Sequence, residues 1–173
     1  MSPVVSVFSS MTEHFRPRHA ARALLIAEPE QRVLLIHTMI PDTDTLIWLA
    51  PGGGLESGED PLTGLYREIL EETGLLVTEA RGPVWHRQQK FHLHGVGYDQ
   101  FEEFYVVSTP MFEPDNSGNP AANEKDIFRG FRWWSAAEIN AATEEIFVPL
   151  TFGRHFSALL ANGIPPLALD VGR

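Results

Sequence analysis

Three glutamates, Glu68, Glu71 and Glu72, stand at i, i+3 and i+4, a spacing that on a helix confines them to an arc of roughly 100°. Three carboxylates on one face repel: two like charges about 6 Å apart cost roughly 0.7 kcal/mol in water and about 3 kcal/mol at an effective dielectric near 20. Arg67 reaches Glu71 at i+4, yet one guanidinium cannot neutralise three acids, whereas a divalent cation with oxygen ligands can. Mg²⁺ or Mn²⁺ is the expected ion. A solvated acidic face uses the same spacing without any chemistry, so the flanking residues must decide.

The positioning elements follow from pattern and punctuation. Asp60 is a good N-cap, Pro61 suits the first helical position and Gly74 a C-terminal stop, which predicts a helix over Pro61–Thr73. Leu62, Leu65 and Ile69 occupy the arc beside the glutamates and would pack on a sheet; Gly64 reads as a fault costing roughly 1 kcal/mol relative to Ala. Pro51 and Gly52–Gly54 read as neither core strand nor helix, but as backbone free to take positive φ and approach another group closely. Strands are expected at Ala21–Ala27 and Arg32–His37, paired as a hairpin, at Leu46–Ala50, at Val84–Phe91 and Phe101–Val107 joined through His92–Tyr98, and at Phe128–Trp134. Ser135 to Glu138 is a capping-box sequence opening a short helix, and Leu150–Asn162 reads as a helix ended by Gly163 and Pro165. Thr109–Asp126 is a loop of functional length. Residues 1–19 show no period and form an expected N-terminal arm, leaving 20–173 as one α/β domain without repeats.

Composition narrows the function classes. The absence of cysteine among 173 residues removes thiolate sites and disulfides, so any metal sits on oxygen or imidazole. Apolar runs such as Ala23–Ala27 fall far short of the roughly 20 residues of a membrane helix, and no cationic start precedes Val4–Phe8, so neither a membrane span nor a signal peptide is expected and the predicted location is cytoplasmic. With 13 Lys and Arg against 23 Asp and Glu, the net charge is −10, which disfavours general nucleic-acid or anionic-lipid binding. A small polyanion remains acceptable if a metal accompanies it.

The flanking residues now decide. Gly53–Leu75 fits G-x5-E-x7-R-E-U-x-E-E-x-G-U, with U a bulky aliphatic, through Gly53, Glu59, Arg67, Glu68, Ile69, Glu71, Glu72, Gly74 and Leu75; chance agreement anywhere in the chain is roughly 10⁻⁷. The segment resembles the defining box of the Nudix hydrolases, with weaker likeness across Ala21–Ile139. The resemblance implies an α/β/α sandwich around a central mixed β-sheet, and Mg²⁺- or Mn²⁺-dependent hydrolysis of the pyrophosphate bond of a nucleoside diphosphate linked to another moiety. By motif position it makes Glu68, Glu71 and Glu72 metal ligands, one of them a possible base, with the Gly52 carbonyl completing the shell. Arg67 would orient a glutamate and Glu59 brace the loop. A further acid from a later loop is expected at Glu124, with Glu102 and Glu103 in reserve. The marks of substrate subclasses are absent, Lys90 and Phe91 standing where ADP-ribose- and diadenosine-directed members tend to carry proline and tyrosine. A non-catalytic nucleotide-sensing domain on the same fold is the alternative, and pyrophosphate removal from RNA 5′ ends would require a basic channel.

Other residues carry weaker readings. His92 and His94 share a strand face but lack a third ligand, so they read as exposed hairpin residues. Trp85, Phe91, Tyr98 and Phe101 read first as core or cross-strand pairs and second as base-stacking groups. The apolar C-terminal helix would serve the core or a homodimer face.

Overall fold

A computed structural model describes residues 14–120 and 126–172. In chain order its elements are β1 (Arg16–Ala27), β2 (Arg32–Ile40), β3 (Thr45–Leu49), β4 (Gly52–Gly54), α1 (Pro61–Thr73), β5 (Arg81–Leu93), β6 (Val96–Ser108), β7 (Phe128–Ser135), α2 (Ala136–Ala141), β8 (Phe147–Val148), α3 (Phe152–Asn162) and β9 (Leu169–Asp170). Among the described residues the strands form one mixed sheet in the order β8-β3-β2-β1-β6-β5-β9, with β4 on β1 and β7 on β2.

β1 is the axis of this sheet. It runs parallel to β6 from Arg16↔Tyr98 to Ile26↔Ser108 and antiparallel to β4 through Ala20↔Gly54, Ala21↔Gly53 and Arg22↔Gly52. Its alternation builds two layers, because successive side chains leave a strand on opposite faces. Ala21, Ala23 and Leu25 join Leu34, Tyr105, Val107 and the α1 residues Leu65 and Ile69 in one buried cluster. Leu24 and Ile26 join Trp85, Phe104, Trp134 and the α3 residues Phe152, Phe156 and Leu159 in the other. Helices therefore cover both faces, as the α/β/α expectation requires.

Several expectations need correction. Arg16–His19, assigned from sequence to the arm ahead of residue 20, are the first residues of β1, held by pairing with Tyr98–Phe101. Gly52–Gly54, expected outside regular structure, form β4; Gly52 has φ +133° and a Cβ there would stand 2.1 Å from the Ala21 carbonyl oxygen, so only glycine lets this strand close on β1. Gly64 is no fault: a Cβ would meet Leu55 Cδ2 at 2.5 Å and Glu59 Oε2 at 2.8 Å, and the glycine lets the loop before α1 fold onto the helix. β5 and β6 extend well past their expected ends, meeting in a tight turn at His94-Gly95. β8 and β9 have two residues each, too short to leave a sequence period.

The two apolar layers differ sharply from the exposed apolar side chains. Phe156 is fully buried whereas Leu150 is 73% exposed. Phe156→Ala is expected to lower unfolding stability by about 3–5 kcal/mol and Leu150→Ala to stay within about 0.5 kcal/mol, read from urea denaturation midpoints of the two variants.

Candidate active site

α1 begins and ends where its sequence directs. The Asp60 carboxylate accepts from the backbone N–H groups of Leu62 at 3.1 Å and Thr63 at 3.2 Å, and Gly74 closes the helix in the left-handed conformation with its N–H on the Leu70 carbonyl. With Leu65 and Ile69 buried against the sheet, Glu68, Glu71 and Glu72 lie on the neighbouring side, partly exposed. Glu72 Oε2 accepts from the Gly52 N–H at 2.7 Å. The Glu68 carboxyl lies against Gly53, within 2.8 to 2.9 Å of where a Cβ would be. The three-glycine strand is thus the floor of the carboxylate cluster.

Arg67 holds this side of the site together. Its Nε and Nη2 donate to the two oxygens of Glu59, both at 2.9 Å, in a bidentate pair; Nη1 donates to Glu68 at 2.8 Å and Glu71 at 3.4 Å, and Nη2 to the Gly54 carbonyl at 3.4 Å. Glu59 also accepts from the Glu56 N–H at 2.9 Å, so it braces the loop as expected. Arg67 and that N–H hold the Glu59 carboxyl below the usual range. Glu68 moves the other way: burial, aided by Glu71, raises its pKa despite Arg67.

The donor set fits a hard divalent cation in chemistry, since Glu68 and Glu72 with the Gly52 carbonyl at β4, and Glu71 beside them on α1, all offer oxygen. Among the described residues no group of three Asp, Glu or His side chains is arranged to hold an ion as it stands. Glu68 and Glu71 turn to Arg67, and Glu72 to the Gly52 N–H. Each carboxylate keeps further lone pairs beyond those contacts, so binding a metal would need the side chains to turn toward one another without giving up every present partner.

The Gly52 carbonyl is held from the opposite side by a network the sequence reading missed. Arg22 Nη1 donates to it at 2.7 Å and to the Ala50 carbonyl at 3.2 Å, leaving the Gly52 oxygen one lone pair for another partner. Arg22 Nε donates to Glu102 Oε1 at 2.7 Å, Arg87 Nε donates to Glu102 Oε2, and the Gln100 amide donates to Glu102 Oε1 at 3.2 Å. Glu102 is fully buried, and although burial alone would raise its pKa, Arg22 and Arg87 together hold it below the ordinary carboxylate value. With both oxygens taken by guanidinium groups it is a structural anion, which removes it from the reserve acids. The available signal was an arginine inside the apolar run of β1 and a second charge in β6.

The other candidates fall in different places. Glu103 is half-buried and accepts from the Tyr105 hydroxyl at 3.4 Å, and burial together with Glu103 pushes Tyr105 up to about 12. Glu124 lies outside the described residues. His94 is in the β5–β6 turn, and the His92 ring meets Phe15 at 5.4 Å. Trp85 is core, packed on Phe104 and Phe152, while Phe91 and Tyr98 pair across strands at 5.8 Å. Phe101 packs on His19 and His86.

Comparison with known proteins places these features. The sequence pattern of the NUDIX domain family matches residues 17–151. The RNA pyrophosphohydrolase of Rhizobium meliloti (strain 1021) is 41% identical over 104 residues, covering 53% of this chain and 60% of that protein. Nudix hydrolase 25 of Arabidopsis thaliana is 31% identical over 104 residues, covering 53% and 59%. The chain thus spans about 60% of the length of these curated relatives. Among solved structures, the MutT protein of Methanosarcina mazei Go1 superposes with a TM-score of 0.61 at 19% identity, covering 84% of this chain and 94% of that one. A C. elegans Ap4A hydrolase gives 0.57 at 18%, covering 83% and 98%. At such identities the solved structures establish the fold.

The buried Arg22–Glu102–Arg87 group makes a stability prediction with a definite sign. Glu102→Gln leaves two buried guanidiniums short of an anion and should cost about 3–5 kcal/mol at pH 7. Because the folded pKa of Glu102 is lowered, its contribution is complete above the unfolded value near 4.3 and is lost as pH falls through the folded value. Urea midpoints of wild type and variant should therefore draw together as the pH drops from about 5 toward 3; a constant gap would contradict the assignment.

Proposed function

This chain belongs to the Nudix family, and from that membership and the carboxylate face of α1 we propose that it is a divalent-metal-dependent pyrophosphohydrolase. Its substrate in this reading is a nucleoside diphosphate linked to another moiety, or a related small phosphoanhydride. The observation that carries the proposal is the placement of Glu68 and Glu72 on a glycine strand whose N–H and carbonyl are each already engaged, with Glu71 tied to Glu68 through Arg67. Glu68, Glu71 and Glu72, with the Gly52 carbonyl, would hold Mg²⁺ or Mn²⁺. When bound, the metal supplies charge neutralisation for the phosphates and lowers the pKa of water.

The chain's own residues contribute orientation and proton transfer. Arg67 fixes Glu68 and Glu71 relative to one another and ties both to the loop through Glu59. The Gly52 N–H sets the rotamer of Glu72. In the hydrolysis, water oxygen bonds to phosphorus, the bridging P–O bond breaks, the leaving phosphate departs with the electron pair, and a carboxylate accepts the proton of the attacking water. Glu68 or Glu72 takes that role in this proposal, with Glu124 as the further acid carried by the downstream loop.

A second reading has a specific basis in the Rhizobium relative named RNA pyrophosphohydrolase. It places the 5′-terminal phosphates of an RNA at the same carboxylates and leaves the residue roles unchanged. Product release from nucleotide sugars, dinucleotides, nucleoside triphosphates and 5′-triphosphate RNA, each with Mg²⁺, Mn²⁺ or EDTA, separates the two. Turnover is expected to vanish in EDTA, and Glu72→Gln to lower it by more than the roughly 10–100-fold typical of losing an outer-shell partner of a metal site. Wild-type turnover by Glu72→Gln would refute the metal assignment, and tight nucleotide binding without product would point to a sensing domain.

A further inference from the structure

Arg18 differs from the other buried cations of the molecule. Arg22, Arg67 and Arg87 each bond a carboxylate, whereas Arg18, half-buried on β1, donates no hydrogen bond and joins no ion pair among the described residues. Its guanidinium lies 5.4 Å from the centre of the Tyr98 ring. It also fills the space a side chain on Gly54 would take, with Nε and Nη2 at 2.7 and 2.8 Å from that Cβ position. Burial and the charge of Arg22 lower its pKa, which is the direction expected of a desolvated cation without a sufficient anion.

The position of Arg18 relative to the carboxylates gives this cation a purpose. Gly53 and Gly54 are successive residues of β4, so their Cβ directions fall on opposite faces; Glu68 rests on one and Arg18 on the other. Among the described residues β4 pairs with β1 and with no other strand, and backbone groups of Gly52 and Gly54 are met instead by the side chains of Glu72, Arg22 and Arg67. Opposite Arg18 in register is Gln100, 2% exposed. Its amide nitrogen donates to Glu102, and because a carboxylate only accepts, the orientation of that amide is fixed. Its Oε1 is then left buried without a partner, a rare condition that marks a missing water or ligand. Arg18 is thus a cation short of an anion on this sheet face, while the neighbouring Gln100 oxygen is an acceptor and calls for a donor such as water, not for a phosphate.

We propose that Arg18 binds a phosphate of the substrate other than those held by the α1 carboxylates, so that the phosphate chain spans the two faces of β4. The assignment rests on the pyrophosphohydrolase reading above and gives a phosphate of its substrate a partner separate from the α1 carboxylates. A chain bearing at least two phosphates is required, one for each face of the glycine strand. An arginine fork suits a phosphate through two parallel hydrogen bonds, and the Tyr98 ring beneath it restricts the guanidinium plane.

Two measurements test this with the full chain. In steady-state hydrolysis of a substrate from the panel above, Arg18→Gln is expected to raise KM about tenfold or more, with kcat within about threefold, and Arg18→Lys to recover part of the loss because it keeps the charge without the fork. In calorimetric titration with Mg²⁺, the non-hydrolysed probe α,β-methylene-ADP is expected to bind Arg18→Gln about tenfold more weakly, and adenosine to bind both proteins alike. Unchanged KM and unchanged α,β-methylene-ADP affinity in folded Arg18→Gln would overturn the proposal, as would equal losses for α,β-methylene-ADP and adenosine. The titration needs no turnover. A wild type that hydrolyses nothing yet binds α,β-methylene-ADP through Arg18 would sink the enzymatic reading and leave the phosphate contact standing.

Discussion

Mutual repulsion of Glu68, Glu71 and Glu72 is the constraint around which this part of the molecule is arranged. A helix that gathers three acids on one side must be stabilised by something other than their own interactions. Here the opposite side of α1 buries Leu65 and Ile69 in the sheet, Asp60 and Gly74 satisfy its ends, and Arg67 spreads one positive charge over Glu59, Glu68 and Glu71. The bidentate Glu59 contact uses two of the five donors of Arg67, so the guanidinium is fixed by the loop before it serves the helix. That order matters: a freely rotating arginine would lose side-chain entropy on meeting Glu68, whereas one already clamped loses less. Neutralisation remains incomplete, which is why burial succeeds in raising the pKa of Glu68.

Glu68 and Glu102 are the same residue type in two partly or wholly dry settings, with opposite outcomes. Glu102 lies between Arg22 and Arg87 and is held as an anion despite full burial. Glu68 shares Arg67 with Glu59 and Glu71 and is left short of positive charge. A buried anion with two guanidiniums is a finished structural unit; a carboxylate with a fraction of one has, in the proposed reading, room for another cation. The two meet at Gly52. Its carbonyl accepts from Arg22 and its N–H donates to Glu72, so the buried group on β1, β5 and β6 and the acids on α1 share a single residue of β4.

Much of this was legible in the residues. The helix limits Pro61–Thr73, the Asp60 cap and the Ser135–Glu138 capping box agree with the structure to the residue, because caps are local chemistry written in adjacent positions. The box implied that Glu59 would brace the loop and that Arg67 would orient a glutamate; their bidentate pairing with each other is a finding of the structure. Long-range pairing was not legible. Nothing local distinguishes Gly52–Gly54 as a strand, since its conformation exists through contact with Ala20–Arg22 some thirty positions away. Gly64 looked unfavourable by helix propensity, and its reason is the approach of Leu55 and Glu59 from the preceding loop. Glu102 was weighed as a catalytic reserve on charge alone, and only the pairing of β6 with β1 on one side and β5 on the other reveals that arginines occupy it.

The net charge of −10 makes the placement of arginine in this chain more informative than its amount. At physiological salt a field decays over about 8 Å, so a phosphate beside β4 senses nearby groups more than the distant acidic surface. Within that range lie Arg67 on the helix side and Arg18 on the other, both touching the glycine strand. The three glycines make this possible: side chains there would stand between the charges and the backbone and would displace either Glu68 or Arg18. In the proposed reading an acidic protein would accept a polyanion here because its cations are concentrated against a strip of bare backbone, and the carboxylates beside them would take a metal that the same polyanion would help to hold.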